Sequence, residues 1–209
     1  MRLYLSSYRV PVPEELFRLV GKPSHEIKMA IVPNAKDKYI DRIWWLKTNQ
    51  AIDYFKDLGV EKIDVVDLRT YDNNSADKLE QTLAPYDLVW CNGGSTFMLL
   101  YEIRRSGFDV ALRRLLEKDA LVYGGASAGE LVAGPSISGI ELADNPEFAE
   151  KIVTNGMNLV SEYIFPHADD PTFAEALADF RSKHGDIIEL KNSQAFVVDG
   201  GRREIVGVK

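Results

Sequence analysis

Short apolar runs alternate with longer amphipathic ones along the whole chain. "LYLSS" (3–7) has the length and composition of a first strand, and "IKMAIVP" (27–33), almost wholly apolar, that of a strand buried on both faces. A helical period follows over roughly 38–58. Ile40, Ile43, Trp44, Leu46, Lys47, Ala51, Tyr54, Phe55 and Leu58 give it a broad, mostly apolar side, and Gly59 stops it. Of the adjacent Trp44 and Trp45, one is expected in the core. "KIDVVDL" (62–68) predicts a third strand, and "SADKLEQTL" (75–83) a short helix with Ser75 as N-cap.

"DLVWCNGG" (87–94) predicts a fourth strand that runs into glycines, followed by helices over about 95–104 and 107–117. "ALVYGG" (120–125) predicts a fifth strand, with a helix opening near Ser127. The pattern loosens from Pro135 to residue 158, a loop with minor strands, before a sixth strand at 159–167. Residues 170–185 form a well-marked helix, with Asp170 as N-cap, Pro171 at the first position and Gly185 beyond the end. The remainder predicts strands, with a hairpin signal at Asp199-Gly200-Gly201.

Alternating strands and helices with apolar strands predict an α/β fold: a mostly parallel sheet with helices on both faces. Ligands of such sheets sit beyond the carboxyl ends of the strands. Both glycine-rich turns, 93–94 and 124–129, fall at such ends, and so does His167. No internal repeat, low-complexity segment or linker interrupts the pattern, so a single domain over 1–209 is expected.

Composition narrows the partners. The 209 residues are 45% hydrophobic and 27% charged, ordinary for a globular chain with a sizeable core. With 25 basic and 32 acidic residues the formal net charge is −7, which disfavours a nucleic-acid partner. The pairs Arg104-Arg105 and Arg113-Arg114 lie on predicted helices among acids and are expected to be solvated faces. The one cysteine, Cys91, permits no intrachain disulfide and no cysteine-based metal site, and is expected to be buried and inert. The N-terminal apolar run is too short for a signal-peptide core and no run has the length of a membrane span, so a soluble cytoplasmic protein is expected. No histidine–acid cluster has metal spacing, and neither metal nor cofactor is expected.

Gly125-Ala126-Ser127-Ala128-Gly129 matches G-x-S-x-G, the elbow that presents a nucleophilic serine on a strained strand-to-helix turn. The bare pattern also suits a structural turn in which glycines permit close packing; its place between a buried strand and a helix favours the elbow. A nucleophilic serine needs a base. His184, in the last turn of a helix, suits the negative helix end, and His25 precedes a strand, away from the site. His167 follows "EYIFP" on the same edge as Ser127 and is the candidate base. A carboxylate is expected behind its other nitrogen. Glu141 and Asp144, in "GIELADNP", are the rival candidates; Glu130 lies in the helix that Ser127 opens and points elsewhere. Backbone N–H groups of Gly94 and Ala128 are the expected oxyanion donors. A phosphate cradle at Gly93-Gly94 is less favoured, since neither a Walker lysine nor a G-x-G-x-x-G is present.

"CNGGSTFMLL", "YGGASAGELVAGPSI" and "GMNLVSEYIFPHAD" resemble, in order and spacing, the dipeptidase E and cyanophycinase family of serine peptidases, over about residues 27–180. The resemblance implies a fold like the class I glutamine amidotransferases with serine in place of cysteine, Ser127 as nucleophile, His167 as base, and Gly94 and Ala128 as oxyanion donors. It also implies a small peptide substrate, in dipeptidase E one with an N-terminal aspartate, and by analogy with family members a homodimer. The segment after "GPSISG" departs from the dipeptidase pattern, so Glu141 and Asp144 remain rivals and no specificity residue is fixed. Lys36, Arg69 or an arginine on the 104–114 helices could meet a substrate carboxylate, though surface charge is their default role. The rival functions are an isoaspartyl or cyanophycin-type peptide hydrolase, and a non-catalytic small-molecule-binding member of the fold.

Overall fold

The computed structural model describes residues 1–37, 41–72 and 75–208. In chain order the elements are β1 (Arg2–Ser6), α1 (Pro13–Val20), β2 (Lys28–Val32), α2 (Asp41–Asp57), β3 (Lys62–Val65), α3 (Ala76–Leu83), β4 (Leu88–Cys91), α4 (Thr96–Ser106), α5 (Phe108–Glu117), β5 (Val122–Ala126), α6 (Ala128–Leu131), β6 (Tyr163–Phe165), α7 (Ala174–His184), β7 (Ile187–Glu189), β8 (Gln194–Asp199) and β9 (Arg202–Gly207). The predicted start of the long helix at 38–40, including Ile40, lies outside the described residues.

The main sheet has the order β3-β2-β4-β5-β1-β8-β9. Its first five strands are parallel; β8 joins β1 antiparallel and β9 joins β8 antiparallel. The mostly parallel α/β sheet expected from the sequence is therefore the observed one. Alternation along each strand builds a core on both faces. Leu3 and Leu5 point into a cluster with Leu79, Leu100, Leu112 and Leu131, under α3 to α6. Tyr4 points the other way, with Met29, Ile31 and Trp90, into the cluster that buries Leu16 of α1 and Phe55 of α2. Trp44 is buried and Trp45 half exposed, one indole in the core as expected.

Three local differences from the sequence expectations have physical causes. The apolar pattern predicts no element at 13–20, yet α1 forms there: Pro13 opens it, Glu14 and Glu15 complement the helix dipole, and Gly21 ends it in the left-handed region. The sixth strand is shorter than 159–167 and does not enter the main sheet; β6 pairs with β7 alone in a separate two-stranded parallel sheet. Asp170 caps a single 3-10 turn, Pro171–Phe173, before α7 begins.

The arginine pairs are not merely solvated. Arg105 binds the carbonyls of Leu68 and Tyr71 and the carboxylate of Glu102; Arg113 binds the carbonyls of Met157 and Asn158. Their fork of donors ties loops to α4 and α5, a use that charge pattern alone does not reveal. Among the described residues no helix is long and apolar enough to cross a membrane.

Candidate active site

β5 delivers the chain to the carboxyl edge of the main sheet and α6 leads it away. Between them Ser127 takes φ 53° and ψ −108°, a left-handed conformation that costs a non-glycine residue energy. The turn is held by the Ser127 N–H, which donates to the Ser6 carbonyl of β1 at 3.0 Å. It also needs a bare backbone: a Cβ on Gly129 would lie 2.2 Å from the carbonyl oxygen of Cys91 in β4. The glycines and alanines around Ser127 thus let α6 start directly against the sheet.

His167 follows Pro166 after β6 and also has a positive φ, 59°. It reaches the main sheet's edge although its strand belongs to another sheet, because its backbone N–H donates to Ser7 Oγ, just past β1, at 2.7 Å. Its ring stacks on Phe173, with centroids 4.8 Å apart. In that pose His167 Nε2 stands 3.0 Å from Ser127 Oγ. The structure brings together the two side chains, forty positions apart, that the sequence singled out.

The third position differs from expectation. His167 Nδ1 lies 2.6 Å from the side-chain oxygen of Asn192, in the loop between β7 and β8. Neither carboxylate expected there is present. Glu141 accepts the Gly139 N–H at 2.7 Å and pairs with Lys183 at 3.3 Å. Asp144 Oδ2 accepts the N–H of Thr96, at the first residue of α4. The 140–145 loop packs beside α4 and α7: Glu141 turns to Lys183, while Asp144, held by Thr96, lines a recess beside Ser127 and His167 without bonding the imidazole. Asn192 is itself positioned: its N–H donates to Asp169 at 2.8 Å, and Ser7 Oγ lies 3.4 Å from its side-chain oxygen. With Asn192 as acceptor, Nδ1 carries the proton and the unprotonated Nε2 faces the serine hydroxyl.

Gly94 stands beside the elbow with φ 150°, and a Cβ there would meet the Ala35 carbonyl oxygen at 2.2 Å. Its N–H has no hydrogen-bond acceptor among the described residues. Ala128 is the first residue of α6, so its N–H lacks an intrahelical partner. Gly94 lines both recesses that meet at Ser127, and Ala128 follows Ser127 directly.

Two recesses meet at Ser127. The larger, about 440 Å³, is walled by Trp90, Asn92 and Tyr54 and carries the cations Arg9, Lys36 and Lys47. The smaller, about 140 Å³, is walled by Leu131, Ile140, Phe165 and Phe173 and carries Asp144. Of the cations considered from sequence, Lys36 lines the larger recess. Arg69 does not: it is paired with Asp67 at 2.8 Å and lies over the Trp44 ring.

The remaining candidates are structural. Cys91 is fully buried, and burial pushes its thiol up to about 12. His184 Nε2 bonds the Ser138 carbonyl at 2.5 Å and its ring stacks on Tyr163. His25 is exposed beside Glu26. Glu130 is fully buried, its two oxygens without a hydrogen-bond partner, and burial holds its carboxyl well above the usual range. Among the described residues no cluster of three or more histidine, cysteine or acid groups could hold a metal ion.

The model of peptidase family S51 matches residues 6–206. The chain belongs to that family and is a serine peptidase. An uncharacterized peptidase of Listeria innocua (Lin0382) is 27% identical over 176 residues, covering 79% of this chain and 82% of the relative. A second, from Pasteurella multocida (PM1590), is 28% identical over 149 residues, covering 69% and 70%. The crystal structure of a Listeria monocytogenes EGD-e protein provisionally assigned as peptidase E superposes with a TM-score of 0.82 at 21% identity, covering 100% of this chain and 98% of the other. A peptidase from an acI-B1 Actinobacterium follows at TM-score 0.64 and 16% identity, covering 99% and 87%. These two neighbours bear on the fold alone, which this chain shares with them.

From the sequence the elbow and the histidine were found by their local glycine and strand context. Asn192 was missed. It sits in "LKNSQ", where an asparagine has the appearance of a turn residue, and its role depends on a contact across twenty-five positions.

Proposed function

We propose that this peptidase hydrolyses short peptides through an acyl-enzyme on Ser127, with His167 as the base and Asn192 orienting the imidazole. The 3.0 Å contact between Ser127 Oγ and His167 Nε2 carries this reading. Nε2 takes the hydroxyl proton as Oγ bonds to the scissile carbonyl carbon. The N–H groups of Gly94 and Ala128 receive the negative oxygen of the tetrahedral intermediate. His167 returns the proton to the leaving nitrogen as the C–N bond breaks. Water, deprotonated by the same imidazole, then attacks the ester and frees Ser127.

The peptides are short in this reading, because the two recesses that meet at Ser127 hold about 440 and 140 Å³, room for a few residues. Arg9, Lys36 and Lys47 support a carboxylate somewhere on the substrate. Kinship with dipeptidase E suggests an aspartate at the N-terminus; isoaspartyl and polymer-derived peptides are the related possibilities. Ser127→Ala is expected to keep the fold and lose turnover by about a million-fold, as for other serine hydrolases without their nucleophile. Labelling by a fluorophosphonate probe should be confined to Ser127 and vanish in the variant. An unlabelled native protein without peptide hydrolysis would favour instead a binding protein on this scaffold.

A further inference from the structure

The two recesses that meet at Ser127 carry opposite charge. Among the described residues lining the larger one are Arg9, Lys36 and Lys47, and no aspartate or glutamate. Arg9 lies over the Tyr8 and Tyr54 rings, 5.3 and 5.1 Å from their centroids, which fixes its guanidinium at the rim. The smaller recess has one carboxylate, Asp144, and no lysine or arginine. Its other walls are apolar: Leu131, Ile140 and Phe165 are buried, and Phe173 is held against the His167 ring. Asp144 spends one oxygen on the Thr96 N–H, and its Oδ1 makes no hydrogen bond among the described residues.

A short unblocked peptide is a dipole, with an ammonium at one end and a carboxylate at the other. Only one orientation across Ser127 matches both charges. We propose that the smaller recess takes the N-terminal residue, its α-ammonium on Asp144 Oδ1 and a neutral, small aliphatic side chain among Leu131, Ile140 and Phe165, while the larger recess takes the leaving residue with its free C-terminal carboxylate on Arg9, Lys36 and Lys47. This rests on the peptidase reading above and narrows it. It runs against an N-terminal aspartate, whose side chain would be placed near Asp144 with no cation to meet it. Like charges brought together in a partly dry recess are unfavourable, and an apolar wall offers an ionised side chain no hydrogen bond. The α-ammonium, by contrast, gains a charge-assisted hydrogen bond to an oxygen already aimed by its neighbour.

The test uses the full-length protein and six substrates: Ala-Ala, Val-Ala, Asp-Ala, isoaspartyl-Ala, N-acetyl-Val-Ala and Val-Ala amide. Fluorophosphonate labelling of Ser127 is measured on the same preparation. The expected kcat/KM for Ala-Ala and Val-Ala exceeds that for Asp-Ala and isoaspartyl-Ala by about tenfold or more, the discrimination a single ionic contact supplies. N-acetylation and C-terminal amidation each lower it by a similar factor. In Asp144→Asn the preference for free over acetylated Val-Ala shrinks to near unity. In Lys47→Met the preference for the free acid over the amide shrinks. The proposal is overturned if Asp-Ala or isoaspartyl-Ala is cleaved as well as Val-Ala, if blocked and free peptides are cleaved alike, or if Ser127 is labelled and no dipeptide is cleaved. Absence of labelling in the native protein overturns the peptidase mechanism itself, a separate failure. Should either variant lose its fold by circular dichroism, the native substrate series decides.

Discussion

His167 Nδ1 and the side-chain oxygen of Asn192 lie 2.6 Å apart, so an uncharged amide occupies the position where serine hydrolases of this geometry commonly place a carboxylate. An amide oxygen can hold the tautomer and the ring angle. It cannot offset the positive charge that the imidazole acquires as it takes the serine proton. Asn192→Asp supplies that charge beside the ring and should raise kcat, since a carboxylate stabilises the imidazolium that forms as the serine proton is taken. Asn192→Ala should lower kcat, since it frees the ring and its tautomer. Steady-state kinetics of the three proteins at one pH, beside circular dichroism, check both outcomes.

Gly94→Ala tests the proposed oxyanion donor. The new Cβ would approach the Ala35 carbonyl to 2.2 Å, in a conformation at φ 150° that side chains rarely adopt. Relief requires the 93–95 turn to swing, which takes the Gly94 N–H away from its present aim. Loss of one such donor costs about a hundred- to a thousand-fold in kcat. Steady-state kinetics beside circular dichroism should show that loss in a protein that is folded and modestly less stable.

The parts of the fold and site legible in the sequence were those written in local chemistry. Apolar runs located the strands of the parallel sheet, and the small residues around Ser127 admitted an elbow and little else. What local pattern does not encode is pairing. "SEYIFPH" has the composition of any buried strand, and nothing in it tells that β6 joins β7 rather than the main sheet. Likewise a lone asparagine in a short loop has no signature until Ser7, Asp169 and His167 converge on it. Triad logic points to an acid, and the acids between Ser127 and His167 are the near ones in sequence; the partner is an amide beyond both. The helix α1 was overlooked for another reason. Its eight residues are too few for a convincing period, although its proline, its acids and its terminal glycine were all visible.

The segment after β2 carries a built-in reporter. Asp37 is almost fully buried, with its side chain 4% exposed, and accepts hydrogen bonds from Trp44 Nε1 at 2.6 Å and Asn34 at 2.8 Å. Burial is the main cause that raises its pKa to about 6, against the opposing pull of those donors and of Arg69. Trp44 fluorescence should then titrate with a midpoint near pH 6, as the indole N–H gains or loses an ionised acceptor. Asp37→Asn should abolish the transition, while the other two tryptophans remain as an unchanging background.

Glu130 sets a second, larger pH dependence. It is the third residue of α6, with no hydrogen-bond partner for either oxygen among the described residues, and burial alone drives its pKa far up. Its charged form is penalised in the folded chain and not in the unfolded one. Above the ordinary glutamate pKa, therefore, the native state holds a proton that the unfolded state has released. This group's contribution to stability is fully present below the ordinary glutamate pKa and is lost as pH rises, by about tenfold in the unfolding constant per pH unit while that difference persists. Glu130→Gln keeps the shape and removes the titration. Urea unfolding between pH 5 and pH 8 should give a flatter curve for the variant, with its advantage over the native protein growing toward alkaline pH. An unchanged pH dependence in Glu130→Gln would mean that the carboxyl finds a partner that the folded structure does not provide.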